Sequence, residues 1–279
     1  MKTLKYSLVV LLWMYGTSVQ SQQAFKVDVQ GKGKPVLLLP GFTCTAAVWE
    51  ETVAELSKNY ECHSFTLAGF GDVPTIGKPW LPKIKEAIVD YVKEKQLNKP
   101  TIIGHSLGGT LGLWLASEEK EMFGKIIVVD ALPSTGALMI PNFNSEDMVY
   151  DSPYNQQLLQ MNDSVFKTRA VQMAGFMSLN KEKHEQLTQW ILEADRETYV
   201  YGYTDLLRLD LREAIANITS PVAVIAATHP YGLAMAQKTY SDQYQNLKTY
   251  DILYAEGSAH FIMYDKSQWF LEQLKLQLK

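Results

Sequence analysis

Short, continuous apolar runs alternate with helix-like segments along most of the chain. The strongest of these runs are PVLLLPG from Pro35, PTIIGHS from Pro100, GKIIVVDALP from Gly124 and SPVAVIAATHP from Ser220. Runs of this length without a polar interruption are typical of strands that are buried on both faces of a sheet. Amphipathic segments such as LPKIKEAIVDYVKEKQL lie between them. The alternation predicts an α/β fold, in which helices cover both faces of a mostly parallel sheet.

The alternation is interrupted from residue 134 to residue 218. This segment has no buried-strand pattern and contains helical stretches such as EQLTQWILEADRETYVYGYTDLLRLDL. We therefore expect a helical cap insertion over 134–218, within one α/β core formed by residues 22–133 and 219–279. The methionines of the insertion fit either plain core packing or an adaptable apolar wall over a binding site. Three of them remain candidate substrate contacts: Met139, Met173 and Met177.

The N-terminus has the three parts of a secretory signal peptide. Lys2 and Lys5 precede an apolar stretch from Ser7 to Tyr15, and small and polar residues follow up to Ser21. This pattern predicts a signal peptide over residues 1–21, cleavage near Ser21, and a secreted or periplasmic protein. The apolar stretch is short for a membrane span, so we expect no stable span after cleavage; an uncleaved anchor is the alternative.

The charge pattern narrows the range of partners. The formal net charge is −4 and no long basic run is present, which argues against nucleic acid as a main partner. No spacing of cysteines and histidines suggests a zinc site. Nothing in the sequence specifies an oligomeric state.

The two cysteines, Cys44 and Cys62, would suggest a disulfide in an exported protein. Cys44 follows the end of one predicted parallel strand, and Cys62 begins the neighbouring one. The two residues therefore belong to opposite edges of the sheet, about 15 Å apart over some five residues of strand. A disulfide needs Cα atoms within about 7 Å of each other, so we expect two free, buried thiols.

The stretch IIGHSLGGTLGLWLA places a serine between two glycines at a predicted strand-to-helix junction. Gly104, Ser106 and Gly108 match the pattern G-x-S-x-G, in which a strained turn exposes the serine hydroxyl at its tip. The glycines occupy positions where a side chain would collide in so tight a turn. The pattern is only moderately specific, but here it stands between an apolar strand and an apolar helix, as the turn requires. Ser106 is therefore the candidate nucleophile, and an ordinary glycine-rich turn is the alternative.

From about residue 24 to the C-terminus the chain resembles the α/β-hydrolases. LLLPGFTCTAAVW resembles the family's strand and oxyanion loop, TLAGFGDVP the loop after the next strand, and AEGSAHFIMYDKSQWFLEQL its histidine loop and last helix. LAGFG, DLRE and HFIMYD resemble a bacterial subgroup in particular, which implies no specific substrate. The resemblance implies an esterase- or lipase-like serine hydrolase whose nucleophile, acid and histidine follow one another in that chain order.

His260 is the candidate base. It lies between the last predicted strand and the last helix, at the carboxyl edge of the sheet, where ligands bind in open α/β folds. Its place after Ser106 fits the family's order, and it would take the serine proton and return it to the leaving group. His105 points away from the serine within the elbow, which favours a packing role; we also keep it as a candidate substrate contact.

The candidate acid departs from the common family pattern. Many members carry it after the next-to-last strand, where this chain has THPYG after PVAVIAA and no carboxylate. The other known placement is after the strand that follows the elbow helix, and there IIVVDALP supplies Asp130. Asp130 is the preferred acid, although many related chains carry an aspartate here without using it. Aspartates of the insertion, such as Asp195, are alternatives.

Two backbone N–H groups are candidates for an oxyanion hole. The N–H of Leu107 directly follows the nucleophile. The resemblance places the second donor in the loop after LLLPG, at Phe42, where Gly41 permits a close backbone approach. Gly41 and the Phe42 side chain would then line the substrate pocket.

Together these features predict an exported, carboxylesterase-like serine hydrolase. It would cleave a carboxylic ester or related acyl bond of a small molecule through an acyl-enzyme, without a metal or cofactor. Two alternatives remain. The same triad could cleave C–C bonds or catalyse cofactor-free perhydrolysis. The missing carboxylate after PVAVIAA also leaves open a non-catalytic binding protein on a hydrolase scaffold, because a fold alone does not determine function.

Overall fold

The computed structural model describes residues 23–279 of the chain. The predicted signal peptide and its cleavage position lie outside the described residues. Among the helices of residues 23–279, none combines the length and the apolar character that a membrane crossing requires.

Seven β-strands of the described chain form one sheet. They are β1 (Phe25–Gln30), β2 (Lys34–Leu39), β3 (Tyr60–Leu67), β4 (Thr101–His105), β5 (Lys125–Val129), β6 (Val222–Ala227) and β7 (Tyr250–Ala255). Their order in the sheet is β1-β3-β2-β4-β5-β6-β7. β1 runs antiparallel to β3, and all other neighbouring pairs are parallel. The predicted fold class is confirmed.

Helices pack on both faces of this sheet. The α-helices are α1 (Glu50–Leu56), α2 (Trp80–Glu94), α3 (Leu107–Glu118), α4 (Thr135–Met139), α5 (Pro153–Leu159), α6 (Asp163–Met177), α7 (His184–Glu193), α8 (Arg196–Arg208), α9 (Leu233–Tyr244), α10 (Ile262–Asp265) and α11 (Ser267–Gln277). The regular elements between β5 and β6, all within the described residues, are helical. We refer to α4 to α8 and their connections as the cap.

The core lies in two layers, one on each face of the sheet. β2 shows the division, because Leu37 and Leu39 pack in one buried cluster whereas Val36 and Leu38 pack in the other. Successive side chains of a strand point to opposite faces, so a strand that is apolar at every position contributes to both layers. The continuous apolar runs of the sequence therefore have a direct structural reason.

The parallel strands bring three loop residues to one edge of the sheet. Ser106 follows β4, Asp130 follows β5 and Thr228 follows β6, in each case directly. Since β4, β5 and β6 are neighbours that run in the same direction, these three positions lie side by side. This edge carries the candidate site.

A buried carboxylate joins the cap to the core. Asp205 of α8 accepts hydrogen bonds from the backbone N–H groups of Trp80 (2.7 Å) and Leu81 (3.0 Å). These are the first two residues of α2, whose N–H groups have no partner within the helix. A carboxylate at this position also interacts favourably with the positive end of the α2 helix dipole. α8 is thereby held over the start of α2, beside the candidate site.

The two cysteines are free and buried, as predicted. Cys62 lies near the start of β3, where it pairs with Val36 of β2, whereas Cys44 follows the far end of β2. Burial raises the pKa of the Cys44 thiol well above its ordinary value, and that of Cys62 to about 11. Both side chains are therefore neutral apolar packing groups at physiological pH.

Candidate active site

Ser106 occupies the sharp turn between β4 and α3. Its backbone has φ 52° and ψ −120°, a conformation that non-glycine residues rarely adopt. The Ser106 N–H donates to the Val129 carbonyl over 2.9 Å, and its own carbonyl accepts from the N–H groups of Gly109 (2.9 Å) and Thr110 (3.0 Å). The neighbouring strand and the first turn of α3 thus hold a strained residue in place, which is the property of a nucleophile elbow.

Two glycines make this turn sterically possible. A Cβ atom on Gly104 would lie 2.2 Å from the Gly108 carbonyl oxygen. A Cβ atom on Gly108 would lie 2.3 Å from the carbonyl oxygen of Leu39, at the end of β2. Both contacts are with backbone atoms that cannot move aside. The spacing G-x-S-x-G is therefore required by backbone packing around Ser106.

His260 and Asp130 are in direct contact. Nδ1 of His260 lies 2.6 Å from Oδ2 of Asp130, and both side chains are largely buried. The other carboxylate oxygen, Oδ1, accepts hydrogen bonds from the Ala227 N–H (2.8 Å) and the Tyr240 hydroxyl (2.9 Å). Asp130 is thus fixed from two sides and presents one oxygen to the imidazole. Sequence reasoning missed Tyr240, because a tyrosine within α9 carries no motif.

The hydrogen bonds keep Asp130 ionised. Burial by itself raises the pKa of this carboxyl, but the hydrogen bonds from His260, Ala227 and Tyr240 and the charge interaction with His260 outweigh it. The pKa of Asp130 therefore lies below its ordinary value. An ionised carboxylate at Nδ1 accepts the proton on that nitrogen, which leaves Nε2 of His260 as the basic nitrogen.

Within residues 23–279 no hydrogen bond joins the Ser106 hydroxyl to the His260 ring. The His260 side chain is 29% exposed, so part of it is accessible to solvent. The ring of His105, the residue before the serine, lies 4.6 Å from the ring of His260. Hydrogen bonds between nucleophile and base are often long without substrate and tighten when it binds.

His105 packs against the histidine loop and holds it through a hydrogen bond. Its side chain is fully buried, and its Nε2–H donates to the backbone carbonyl of His260 over 3.0 Å. Burial, followed by the charge of His260, lowers the pKa of His105 to about 3, so its ring is neutral. These contacts favour the packing interpretation of His105 over a direct contact with substrate.

The oxyanion loop lies against the elbow. A Cβ atom on Gly41 would lie 2.7 Å from Nδ1 of His105 and 3.4 Å from Cβ of Ser106, so only glycine fits this approach. Within residues 23–279 the backbone N–H groups of Phe42 and Leu107 form no hydrogen bond, so both are free to donate to an oxyanion. Leu107 begins α3, where N–H groups have no partner in the helix and the helix dipole favours negative charge.

The side chain of Phe42 lies under the cap. Its ring contacts two rings of the core, Phe70 (5.1 Å between centroids) and Trp80 (6.1 Å). It also contacts two rings of α8, Tyr199 (5.7 Å) and Tyr203 (5.4 Å). The sequence singles out Phe42 but not the tyrosines, because only the tertiary structure brings α8 to this place.

Two of the candidate methionines meet these tyrosines. The Tyr203 hydroxyl donates to Sδ of Met139 over 3.3 Å, and the Tyr199 hydroxyl donates to Sδ of Met173 over 3.6 Å. We call Tyr199, Tyr203, Met139 and Met173 the cap wall. Met177 instead contributes its backbone carbonyl, which accepts from the Phe261 N–H over 3.1 Å, directly after His260.

Asp265 links the cap to the histidine loop. Its Oδ2 accepts from the Ala259 N–H (2.8 Å), immediately before His260. Its Oδ1 accepts from the Ser178 hydroxyl (2.7 Å) and from the N–H groups of Leu179 (2.9 Å) and Asn180 (3.2 Å), just after α6. The short segment HFIMYD contains both His260 and Asp265, but the sequence does not indicate this contact.

The two alternative positions for the acid, Asp195 and the position after β6, have structural roles. Asp195 caps the N-terminus of α8, since its Oδ1 accepts from the N–H and the hydroxyl of Thr198, each over 2.7 Å. After β6, where many hydrolases carry the acid, Oγ1 of Thr228 accepts from the Gly257 N–H over 2.8 Å. Thr228 thus stabilises the histidine loop through this hydrogen bond. Its hydroxyl carries no negative charge, so it cannot take the place of a carboxylate beside an imidazole.

A parallel sheet with a strained G-x-S-x-G turn after one strand and a histidine after the last strand defines an α/β-hydrolase fold. The family comparison agrees: the model of the alpha/beta hydrolase family matches residues 36–273. The chain therefore belongs to the alpha/beta hydrolase family.

Proteins with a similar sequence are named as esterases. The chain is 26% identical over 195 residues to a pimeloyl-[acyl-carrier protein] methyl ester esterase of Vibrio campbellii, covering 69% of this chain and 74% of that protein. It is 27% identical to the protein of the same description from Vibrio parahaemolyticus, with the same shares covered.

Solved structures share the fold. A thermophilic esterase from Thermogutta terrifontis superposes with a TM-score of 0.76 at 16% identity, over 91% of this chain and 92% of that one. An enol-lactonase from Burkholderia xenovorans superposes with a TM-score of 0.75 at 14% identity, over 91% and 96%. At this identity the likeness establishes the fold alone.

Proposed function

We propose that this protein is an exported serine hydrolase that cleaves carboxylic esters through an acyl-enzyme, with Ser106, His260 and Asp130 as its triad. The observation that carries the proposal is the 2.6 Å contact between His260 Nδ1 and Asp130 Oδ2, beside a strained serine at the same sheet edge. A buried carboxylate, an imidazole and an exposed-turn serine form a constellation that supports acyl transfer.

The first half of the reaction forms the acyl-enzyme. Nε2 of His260 takes the proton of the Ser106 hydroxyl while Oγ attacks the ester carbonyl carbon. The carbonyl oxygen becomes an oxyanion that accepts hydrogen bonds from the N–H groups of Phe42 and Leu107. Asp130 stabilises the imidazolium through Nδ1. The imidazolium then gives its proton to the alkoxide oxygen, and the alcohol leaves.

The second half releases the acid. Water takes the place of the alcohol, and Nε2 of His260 accepts its proton as the oxygen attacks the acyl carbon. The same two N–H groups stabilise the second oxyanion. When this intermediate collapses, the proton returns to Oγ of Ser106 and the carboxylic acid departs.

The position of the acid bears on the competing interpretation as a binding protein. That interpretation arises from the missing carboxylate after β6. Asp130, after β5, supports catalysis instead, because its three hydrogen-bond partners leave it ionised and pointing one oxygen at Nδ1. The esterase activity named for the Vibrio relatives supports a carboxylic ester as the substrate class.

Export rests on the predicted signal peptide over residues 1–21. Full-length expression in a bacterial host, followed by fractionation, tests it. We expect the protein in the periplasm or medium with a mass that corresponds to cleavage near Ser21. An uncleaved chain in the cytoplasm would contradict export without affecting the proposed chemistry.

The nucleophile is tested by labelling with a fluorophosphonate, which reacts only with an activated serine. We expect the wild type and the control Ser164→Ala, an exposed serine of α6, to be labelled, and Ser106→Ala to be unlabelled but folded. A panel of p-nitrophenyl esters run on the same three proteins measures turnover. Absence of both labelling and ester hydrolysis in the wild type would favour a binding protein.

A further inference from the structure

Arg169 of α6 differs from two other arginines of the chain, which are paired with carboxylates. Arg212 is paired with Asp210 (2.6 Å) and Arg196 with Asp163 (3.4 Å). Arg169 has no carboxylate within 4.0 Å among residues 23–279, although its side chain is half-buried. Its Nη2 donates to the Tyr154 hydroxyl over 2.7 Å. A partly desolvated guanidinium with only a neutral acceptor retains several N–H donors for an anion.

The surroundings of Arg169 are phenols rather than acids. Burial raises the pKa of Tyr199 and Tyr203, the latter to about 12, and the nearby charge of Arg169 acts against that rise in both. Tyr199 donates to Met173, which lies one helical turn after Arg169, so its hydroxyl lies on the side of α6 that carries the guanidinium. Both hydroxyls are protonated at neutral pH and can donate. Both currently donate to methionine sulfur, at 3.6 Å from Tyr199 and 3.3 Å from Tyr203. Thioether sulfur is a weak acceptor, so a carboxylate oxygen would be a better partner.

The cap wall connects this cation to the proposed reaction centre. The rings of Tyr199 and Tyr203 contact Phe42, whose N–H is the proposed oxyanion donor. Met173 lies one helical turn after Arg169 on α6, so both face the same side of the helix. A continuous set of apolar and aromatic side chains therefore leads from Phe42 to the side of α6 that carries Arg169.

We propose that Arg169, with the hydroxyls of Tyr199 and Tyr203, binds a carboxylate at the far end of the acyl chain. The preferred substrates would then be half-esters of dicarboxylic acids, whose apolar methylene chain lies along the cap wall. This proposal rests on the proposed esterase function and names its substrate class. The structure supplies three features that such a substrate needs: a candidate nucleophile, an apolar and aromatic wall, and a cation that has no carboxylate partner within residues 23–279 and lies beside neutral donors.

The test compares charged and neutral esters of equal length. The substrates are the mono-p-nitrophenyl esters of succinic, adipic and suberic acid, and the p-nitrophenyl esters of butyric, hexanoic and octanoic acid. We expect the wild type to prefer the charged member of at least one pair. Arg169→Gln should lower kcat/KM for that half-ester by about 10- to 100-fold, mainly by raising KM, which corresponds to the loss of one charge-assisted hydrogen-bonding partner. The matched neutral ester should change less than about threefold.

Lys167→Gln is the matched control, because it removes an exposed cation from the same helix and should leave both substrates unaffected. Tyr203→Phe removes one hydroxyl and keeps the ring, and we expect a smaller, selective loss on the half-ester. Equal effects of Arg169→Gln on charged and neutral esters, or no preference at any chain length, would overturn the proposal.

A binding measurement separates this proposal from the proposed hydrolysis. Calorimetry on Ser106→Ala with adipate should detect binding that disappears when Arg169→Gln is added. If the wild type hydrolyses no ester but adipate binding depends on Arg169, the carboxylate site stands and the hydrolase proposal fails. If esters are hydrolysed and no carboxylate binding depends on Arg169, the carboxylate site is excluded.

Discussion

The sheet edge that carries the candidate site and the cap wall are held in place in different ways. At the edge, Ser106 and Asp130 both have positive φ angles, and backbone hydrogen bonds from neighbouring strands fix them. In the cap wall, the only acceptor of each tyrosine hydroxyl within residues 23–279 is a methionine sulfur, and Met139 is 57% exposed. In the proposed hydrolase the two regions would therefore have different roles: the rigid sheet edge would carry out the reaction, and the adaptable cap would select the acyl group.

The largest expected effect is at the edge. Asp130→Asn should lower kcat by about 10³- to 10⁴-fold at neutral pH, because the imidazolium formed during attack loses its stabilising charge and the imidazole its tautomer. KM should change little, since the charge pair matters only on the way to the transition state. The measurement is steady-state kinetics on one good ester, with circular dichroism to verify folding.

Asp195→Asn serves as its control. This residue is an N-cap, so its substitution should change kcat less than about tenfold and lower the free energy of unfolding by at most about 1 kcal/mol. A near-wild-type kcat in Asp130→Asn would show that Asp130 is not the acid of the triad, and the sheet edge would then differ less from the cap wall than proposed.

A smaller effect is expected where the two regions join. Asp265→Ala should lower kcat by roughly tenfold or more, because the Ala259 N–H loses its acceptor and the loop that carries His260 is no longer held. The conservative variant Asp265→Asn keeps one acceptor oxygen and should recover part of this loss. A drop in thermal stability without any change in kcat would assign Asp265 to cap attachment alone.

The pH dependence of stability gives a third test, at His105. Its pKa in the folded protein is about 3, below the ordinary value of about 6.5. Between these values the unfolded chain binds a proton at this site and the folded chain does not, so stability should fall as the pH drops below about 6.5. The contribution is at most about 1.4 kcal/mol per pH unit. Denaturant titrations at several pH values measure the trend, and NMR of the imidazole assigns it. A His105 ring that protonates near pH 6 would contradict the tight packing of His105 against the histidine loop.

The smallest effect is expected in the cap wall. Met173→Leu conserves apolar volume and removes the sulfur acceptor of Tyr199, so kcat on a short ester should change less than about threefold. The preference among acyl chain lengths should shift instead. An ester panel on the variant and on Met122→Leu, a methionine outside the cap, measures this. A large loss of kcat for every ester would mean that the cap wall also orders the reaction centre.

Local patterns in the sequence determine the sheet and much of its edge. Uninterrupted apolar runs specify strands buried on both faces, and G-x-S-x-G specifies a turn in which only glycine avoids the backbone on either side. The two free thiols follow from the same strand directions, since parallel neighbours separate the end of one strand from the start of the next. These predictions succeed because each depends on short stretches whose geometry is set by sterics and period.

Contacts between distant segments are decided only by the tertiary structure. The pairing of Asp130 with His260 spans 130 residues, and the sequence could only favour Asp130 over aspartates of the insertion such as Asp195. Tyr240, Asp265 and the tyrosines of α8 carry no motif, and they reach the site because α9, the histidine loop and the cap pack there. The physical reason is that a side chain in a helix has many possible neighbours, and only the packing of whole elements selects among them.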